Sequence, residues 1–418
     1  MIPIAFEEIE ALGLGELQGY GEITGLEIDS RRVGPGDLFV AIRGGREFVG
    51  AARDRGAATL VPNDEFDAMA VLGQALRGRS RARFVGVTGS TGKTSTKDIL
   101  AALCANVAPT VWTEGSYTAE LGVPLTLGRL EPETELCIVE MGMRGLGQIA
   151  DLCEIVRPHV GLISAVGPVH LELVGSVEGV ARSKAELVAA LPPDGIAVVP
   201  ESSELEPHLR SDIEILRVPP VDVELREDGA HVAFGERRIR FPLTSRHQAQ
   251  NALAAMTAYE AMDLPLDRLE EGAARVQLSK WRGEELPLPG GGFVVNDAYN
   301  ANPTSMRAAL VDLAERAGGR RRVAILGEMA ELGQESGRYH DEIRSLLREL
   351  GVEVVIAVGE PARAYLDEHA EGAAVADAAA FADVVDVLEP GDAILVKASR
   401  AVGLEGIPAL IEKHSRAW

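Results

Sequence analysis

The chain has 418 residues, too many for one ordinary hydrophobic core, so two or three domains are expected. Hydrophobic residues make up 46% and charged residues 25%, as in soluble globular proteins. No run approaches the roughly 18 apolar residues of a membrane span; the start MIPIAFEEIEALG lacks the basic region of a secretory leader; and a net charge of −23 excludes non-specific nucleic-acid binding while leaving room for a small anionic substrate held by a few local cations.

Residues 1–82 form a first composition block that ends in the arginine-rich stretch LRGRSRAR. FVGVTGSTGKTSTKDILAAL then reads as strand, glycine loop and helix. Phe84, Val85 and Val87 are apolar and extended, and Ile99, Leu100 and Leu103 recur at helical spacing. ELCIVEM, HVGLISAV and GIAVVP read as buried parallel strands, with helical segments such as SVEGVARSKAELVAAL between them. An antiparallel patch is expected over residues 221–241, with DG and FGE as turn signals, and QNALAAMTAYEAM follows as a helix. WRGEELPLPGGG (281–292) is rich in glycine and proline and reads as a linker. Beyond it FVVND, RRVAILG, VEVVIAVG and DAILVKAS alternate with helices, a second α/β unit of parallel strands. Doubly wound sheets of this kind carry ligands at the carboxyl ends of their strands.

Cys104, Cys137 and Cys153 are odd in number and show no CxxC spacing, so a disulfide framework or zinc site is not expected and a reducing cytoplasm fits. Of 41 basic residues only six are lysines: Lys93, Lys97, Lys184, Lys280, Lys397 and Lys413. Genome composition accounts for the arginine excess. The lysines that remain are candidates for positions that need a compact ammonium or a reactive primary amine, which guanidinium does not supply.

GSTGKTST (89–96) follows a strand and opens a helix. The backbone N–H groups of Gly89, Ser90, Thr91, Gly92, Lys93, Thr94 and Ser95 at a helix start would cradle phosphates. Lys93 would reach the β/γ-phosphates and the Thr94 hydroxyl would bind Mg²⁺. Val87 stands where the strict pattern has its first glycine, which leaves the shorter GxxGKT form. Such a loop does not by itself separate a ligase from an ATPase or a kinase. Three later groups narrow the reaction. Glu140 ends a strand, His170 follows one, and Lys184 lies on the next helix. Singly they read as a helix cap, a loop residue and a solvated lysine. Together they suit a two-cation site facing the loop, with oxygen from Glu140 and nitrogen from His170. Lys184 would repel a cation as an ammonium but would offer an anionic oxygen as a carbamate.

These motifs resemble the Mur ligase family over essentially the full length. DSRRVGPGDLFVAIRG (29–44) is similar to the family's uridine-nucleotide segment, and VTGSTGKTSTKD to its phosphate loop. EMGMRGLGQIADLCEIVRPHVGLIS and VHLELVGSVEGVARSKAEL are close to the family text. DAYNANPTSM (297–306), ILGEMAELG and VKASRAVGLE point to the branch that adds D-alanyl-D-alanine.

The resemblance implies an α/β fold in three domains: a small N-terminal α/β domain (1–82) for the UDP-linked substrate, a central phosphate-loop parallel-sheet domain (83–283) for ATP, and a C-terminal Rossmann-like domain (284–418) for the incoming dipeptide. It implies ATP-dependent ligation of D-alanyl-D-alanine to UDP-N-acetylmuramoyl-tripeptide through an acyl phosphate, by a cytoplasmic monomer. It further implies one Mg²⁺ on Thr94 and Glu140, and a second on His170 and carbamylated Lys184. Asn251 matches an adenine contact, and Arg282 and Asp297 match nucleotide contacts. Ser30 and Arg31 fall in the uridine segment, Tyr299, Asn300 and Asn302 in the site-facing motif, and Ser399 and Arg400 near the incoming amino acid. The sequence departs from the family at Thr118 and Ala119, where asparagines are usual. It departs also in Ser245-Arg246-His247-Gln248, where glycine–x–His–Asn is usual, and at Ala398, a common glycine. A folylpolyglutamate-type ligase or divergent Mur paralogue, and a non-catalytic nucleotide-binding regulator, are the alternatives.

Overall fold

Strands rich in Val, Ile and Leu with no polar alternation need cover on both faces, which a parallel sheet flanked by helices provides. The computed structural model describes residues 1–115, 117–416 and 418. In it, Arg83–Thr88 lies inside a six-stranded parallel sheet between Val160–Ile163 and Leu136–Glu140. Ile196–Pro200 and Glu214–Val218 extend one side and Thr110–Trp112 the other. Register brings three strand ends to one edge: Ile163 pairs with Thr88, and Glu140 pairs with Val87. The phosphate loop, Glu140 and the segment after Ile163 therefore leave the sheet together.

The helix Lys93–Ala105 packs on Arg246–Glu260, where Ala252, Ala255 and Met256 share a buried cluster with Leu100, Leu103 and Cys104. That second helix starts four residues before the apolar run QNALAAM suggests, because Ser245 caps it by accepting from Gln248 N–H. The antiparallel patch is present as Val223–Arg226, Gly229–Phe234 and Arg237–Phe241. Cys104, Cys137 and Cys153 are free and buried, and desolvation pushes the Cys137 and Cys153 thiols up to about 12.

One stretch differs from the sequence reading. Residues 281–292 are more than a linker. Glu284–Pro287 pairs antiparallel with Phe293–Asn296 and forms the edge of the six-stranded C-terminal sheet. Pro287 is tolerated there because an edge strand need not donate every N–H. The other neighbours, Ala393–Lys397, Arg322–Gly327, Val354–Val358 and Glu371–Val375, are parallel as expected. The arginine-rich stretch LRGRSRAR is built into the fold. Leu76–Arg79 completes the helix Glu65–Arg79, and Arg77 donates to the carbonyls of Val156 (2.6 Å) and Arg157 (3.1 Å) with its guanidinium over the Phe84 ring.

Before that helix, Gly15–Gln18, Ala58–Pro62, Asp37–Val40 and Gly25–Glu27 form a four-stranded sheet. One apolar cluster runs from Leu38 and Leu60 through Met141 and Leu187 to Met306 and Leu326, joining the four-stranded sheet to both six-stranded sheets. Among the described residues no helix is long and apolar enough to cross a membrane.

Candidate active site

The loop after Arg83–Thr88 has two positions that only glycine fits. Gly92 has φ +81° at the start of the helix Lys93–Ala105, and a Cβ there would stand 2.3 Å from Asn251 Oδ1. A Cβ on Gly89 would stand 2.1 Å from Ser164 Oγ. Ser164 Oγ reaches the Thr91 carbonyl at 2.6 Å, and Ser90 Oγ accepts from Gly167 N–H at 3.0 Å, so the segment after Ile163 braces the loop. Left-handed backbone costs a non-glycine residue about 1–2 kcal/mol, and the Asn251 contact adds to it. Gly92→Ala is therefore expected to weaken ATP binding by about tenfold or more. Calorimetric titration with a non-hydrolysable ATP analogue checks this, and unchanged affinity would mean that the loop does not hold nucleotide.

Lys93 Nζ donates to the Gly89 carbonyl at 2.8 Å. Burial pushes its pKa down, Glu140 opposes this and Arg282 adds to it. The Thr94 hydroxyl donates to Glu140 Oε1 (2.9 Å) and accepts from Arg282 Nη2 (2.7 Å). Glu140 is 3% exposed, and its Oε2 is buried with no hydrogen-bond partner. A buried carboxylate oxygen without a partner, beside a phosphate loop, is a donor suited to a cation. Among the described residues no three His, Cys, Asp or Glu side chains cluster as a metal cage. The donors present, one carboxylate and one hydroxyl next to the loop, suit Mg²⁺, which takes few protein ligands and completes its shell from phosphate and water.

His170 has φ +53°, and its Nδ1 is hydrogen-bonded to Glu331 Oε2 from the loop after the C-terminal-sheet strand Arg322–Gly327. Burial lowers the imidazole pKa, Glu331 opposes this, and Lys184 and Lys93 add to the lowering. Lys184, on the helix Val177–Ala189, is 1% exposed and has no side-chain hydrogen bond among the described residues. Desolvation first, then Lys93, push its pKa well below the ordinary lysine value, while Glu186 opposes this. The fold thus brings Lys93, Thr94, Glu140, His170 and Lys184 to one sheet edge, with Ser95 buried just behind.

The C-terminal unit closes on this edge. The Arg282 guanidinium lies 3.9 Å over the Tyr299 ring. Asn302 does two jobs: its Oδ1 caps the helix Pro303–Ala317 by accepting from Ser305 N–H, and its Nδ2 donates to the Ser90 carbonyl at 3.2 Å. Asp297 is paired with Lys397, whose Nζ also donates to the Asn300 carbonyl at 2.9 Å. Asn300 Oδ1 accepts from Ala301 N–H. Ser399 Oγ accepts from Ala330 N–H at 2.8 Å. Arg400 is paired with Glu405 at 2.6 Å and lies over the Trp281 ring. Ser30 and Arg31 stand apart. Arg31 forks onto Asp29, holding that carboxyl down at about 2, and makes no hydrogen bond to a phosphate-loop residue among the described residues.

Gln248, Thr118, Lys97 and Lys397, marked in the sequence without a contact, each have one here. Gln248, at the family's usual asparagine, donates from Nε2 to the Arg282 carbonyl at 3.0 Å. Thr118 O accepts from Gly142 N–H at 2.7 Å, so this loop is held by its backbone. Lys397 and Lys97 are 2% and 1% exposed, and Lys97 pairs with Asp98. With Lys184, they make three of the six lysines fully buried, whereas Lys280 and Lys413 are exposed. The scarcity of lysine marks all six in the sequence, and burial separates these three from Lys280 and Lys413.

Comparison with known proteins identifies relatives of this chain. Residues 87–259 match the model of the Mur ligase middle domain, and residues 281–400 that of the Mur ligase glutamate ligase domain. UDP-N-acetylmuramoyl-tripeptide–D-alanyl-D-alanine ligase of Escherichia coli (strain K12) is 30% identical over 99% of this chain and 99% of that protein. A crystal structure of MurF from Acinetobacter baumannii matches with TM-score 0.87 at 28% identity, covering 98% of this chain and 99% of that one. The MurF ligase of Thermotoga maritima in complex with ADP matches with TM-score 0.83 at 26% identity, covering 94% and 98%. With a phosphate loop, a carboxylate facing it and a C-terminal sheet docked across both, the chain belongs to the Mur ligase family.

Proposed function

We propose that this chain uses ATP to join the terminal carboxylate of UDP-N-acetylmuramoyl-tripeptide to the amine of D-alanyl-D-alanine, in the cytoplasmic synthesis of peptidoglycan precursor. The observation that carries this reading is the meeting of Lys93, Thr94 and Glu140 with Arg282 and Asn302 across two sheets, a site assembled only when both are docked.

A substrate carboxylate oxygen attacks the γ-phosphorus, ADP leaves, and an acyl phosphate forms. The dipeptide amine then attacks the acyl carbon, loses a proton, and inorganic phosphate departs from the tetrahedral intermediate. The chain's part is positioning and charge neutralisation. Loop amides from Gly89 to Ser95 hold the phosphates, and Lys93 turns from the Gly89 carbonyl onto the β/γ oxygens. Asn251 meets the adenine, and Arg282 and Asp297 meet the rest of the nucleotide. Thr94 and Glu140 would hold one Mg²⁺, and His170 with carbamylated Lys184 a second, neutralising phosphate charge. The carbamate forms when the Lys184 amine attacks CO₂ and gives up a proton. Its burial without a partner and its depressed pKa favour the neutral amine this needs. Residues 1–82 take the uridine nucleotide through Ser30 and Arg31, residues 83–283 the ATP, and residues 284–418 the dipeptide. Tyr299, Asn300, Asn302, Ser399 and Arg400 line that last site. The docked C-terminal unit excludes water that would hydrolyse the acyl phosphate.

Acceptor choice tests the reading. D-alanyl-D-alanine, D-alanine and L-amino acids compete under saturating ATP and UDP-N-acetylmuramoyl-tripeptide, and product is resolved by mass. The dipeptide is expected to dominate, and Thr118→Asn with Ala119→Asn is expected to be neutral or to improve its use. Dominance of a single amino acid would overturn the dipeptide assignment and leave the acyl-phosphate chemistry standing.

A further inference from the structure

Two non-glycine residues with left-handed backbone face each other across the domain junction: His170 (φ +53°) and Glu331 (φ +61°). Such backbone is uncommon for these side chains and persists where the surroundings hold it. Here the surroundings are each other. Glu331 Oε2 bonds His170 Nδ1, and the Glu331 carbonyl accepts from Glu172 N–H at 3.3 Å. Gly333, φ +58°, lets the same loop lie against Glu172, where a Cβ would come within 3.2 Å of the Glu172 Cα. The other carboxylate oxygen of Glu331 meets Arg144 at 3.2 Å, and Arg144 is mostly exposed. Glu331 is therefore held from a second side, and its carboxylate is an acceptor aimed at the imidazole. His170 Nε2 has no protein partner among the described residues.

We propose that Glu331 is a positioning residue: it accepts the His170 Nδ1–H bond from across the domain junction, fixes the tautomer with a bare Nε2, and so completes the second cation site only when the C-terminal unit is docked. This rests on His170 being a cation ligand. A carboxylate behind a ligating histidine orients the ring and raises its basicity, and losing such a partner commonly weakens metal affinity 10–100-fold. Supplying that partner from another domain makes cation binding and domain docking mutually reinforcing, because each stabilises the arrangement the other needs.

The test uses the full-length protein with ADP. Manganese binding is followed by electron paramagnetic resonance, and the His170 tautomer by long-range ¹H–¹⁵N spectra of histidine-labelled protein. Wild type is expected to show His170 protonated at Nδ1. Glu331→Ala is expected to mix the tautomers and to weaken the looser manganese site about 10–100-fold. Glu331→Gln, whose amide oxygen still accepts, is expected to restore affinity to within about threefold, and Arg144→Ala to stay within about twofold of wild type. On a His170→Ala background, Glu331→Ala should weaken manganese no further. A wild-type His170 protonated at Nε2 overturns the proposal without any variant, so it remains testable if Glu331→Ala fails to fold. Wild-type behaviour of Glu331→Ala beside a weak His170→Ala overturns it and leaves His170 as a ligand. An undiminished manganese affinity in His170→Ala removes the ligand reading itself, and this proposal with it.

Discussion

Lys93→Ala is expected to cut ligation by roughly 10²–10³, the usual loss when a preorganised charge on a transferring group is removed. The direction follows from geometry. Lys93 sits at the helix start with its ammonium on the Gly89 carbonyl, a neutral acceptor it can leave for phosphate. Burial already disfavours its charge, so an incoming phosphate relieves the lysine as much as the lysine steadies the phosphate. The loop amides remain in the variant, so nucleotide affinity should fall far less than turnover. Single-turnover ADP release with excess enzyme separates the two. A variant that binds ATP weakly yet turns over normally at saturation would assign Lys93 to ground-state binding alone.

Lys184→Ala is expected to be equally damaging, by roughly 10²–10³. A solvated lysine on an amphipathic helix would be dispensable, but Lys184 is 1% exposed and close enough to Lys93 for their charges to oppose each other. Two ammonium groups would repel there, whereas a carbamate would attract both Lys93 and a cation. Lys184→Arg should be as inactive as Lys184→Ala, since guanidinium does not take up CO₂ as a lysine amine does. A short carboxylic acid such as formate or acetate should restore part of the Lys184→Ala activity by placing an anionic oxygen in the space left. Activity of Lys184→Arg near wild type would exclude the carbamate.

The phosphate loop was legible because its signals are local: an apolar strand, glycines at a turn and a helix period within twenty residues of sequence. Glu140 and His170 were legible as chemistry at strand ends and Lys184 as a rare lysine on the next helix, though only register shows why the strand ends converge, with Glu140 opposite Val87 and Ile163 opposite Thr88. What stayed hidden is tertiary. Nothing near Gln248 announces that its amide holds the Arg282 carbonyl 34 positions on, and nothing near Glu331 points to His170. The edge strand Glu284–Pro287 was masked by the prolines and glycines that read as linker, because turn composition and edge tolerance share the same residues. Arg77 was lost among neighbouring arginines, since composition cannot say which of them finds a carbonyl.

The distribution of primary amines has a practical side. Lys97, Lys184 and Lys397 are shielded, so an amine-directed fluorophore under mild conditions is left with the chain's N-terminus, Lys280, Lys413 and a Lys93 guarded by whatever fills the loop. Lys280 lies two residues before Arg282, at the crossing between the central and C-terminal sheets. A dye placed there while nucleotide covers Lys93 sits beside the joint and away from the chemistry, and its anisotropy becomes a readout of how the two halves move during turnover.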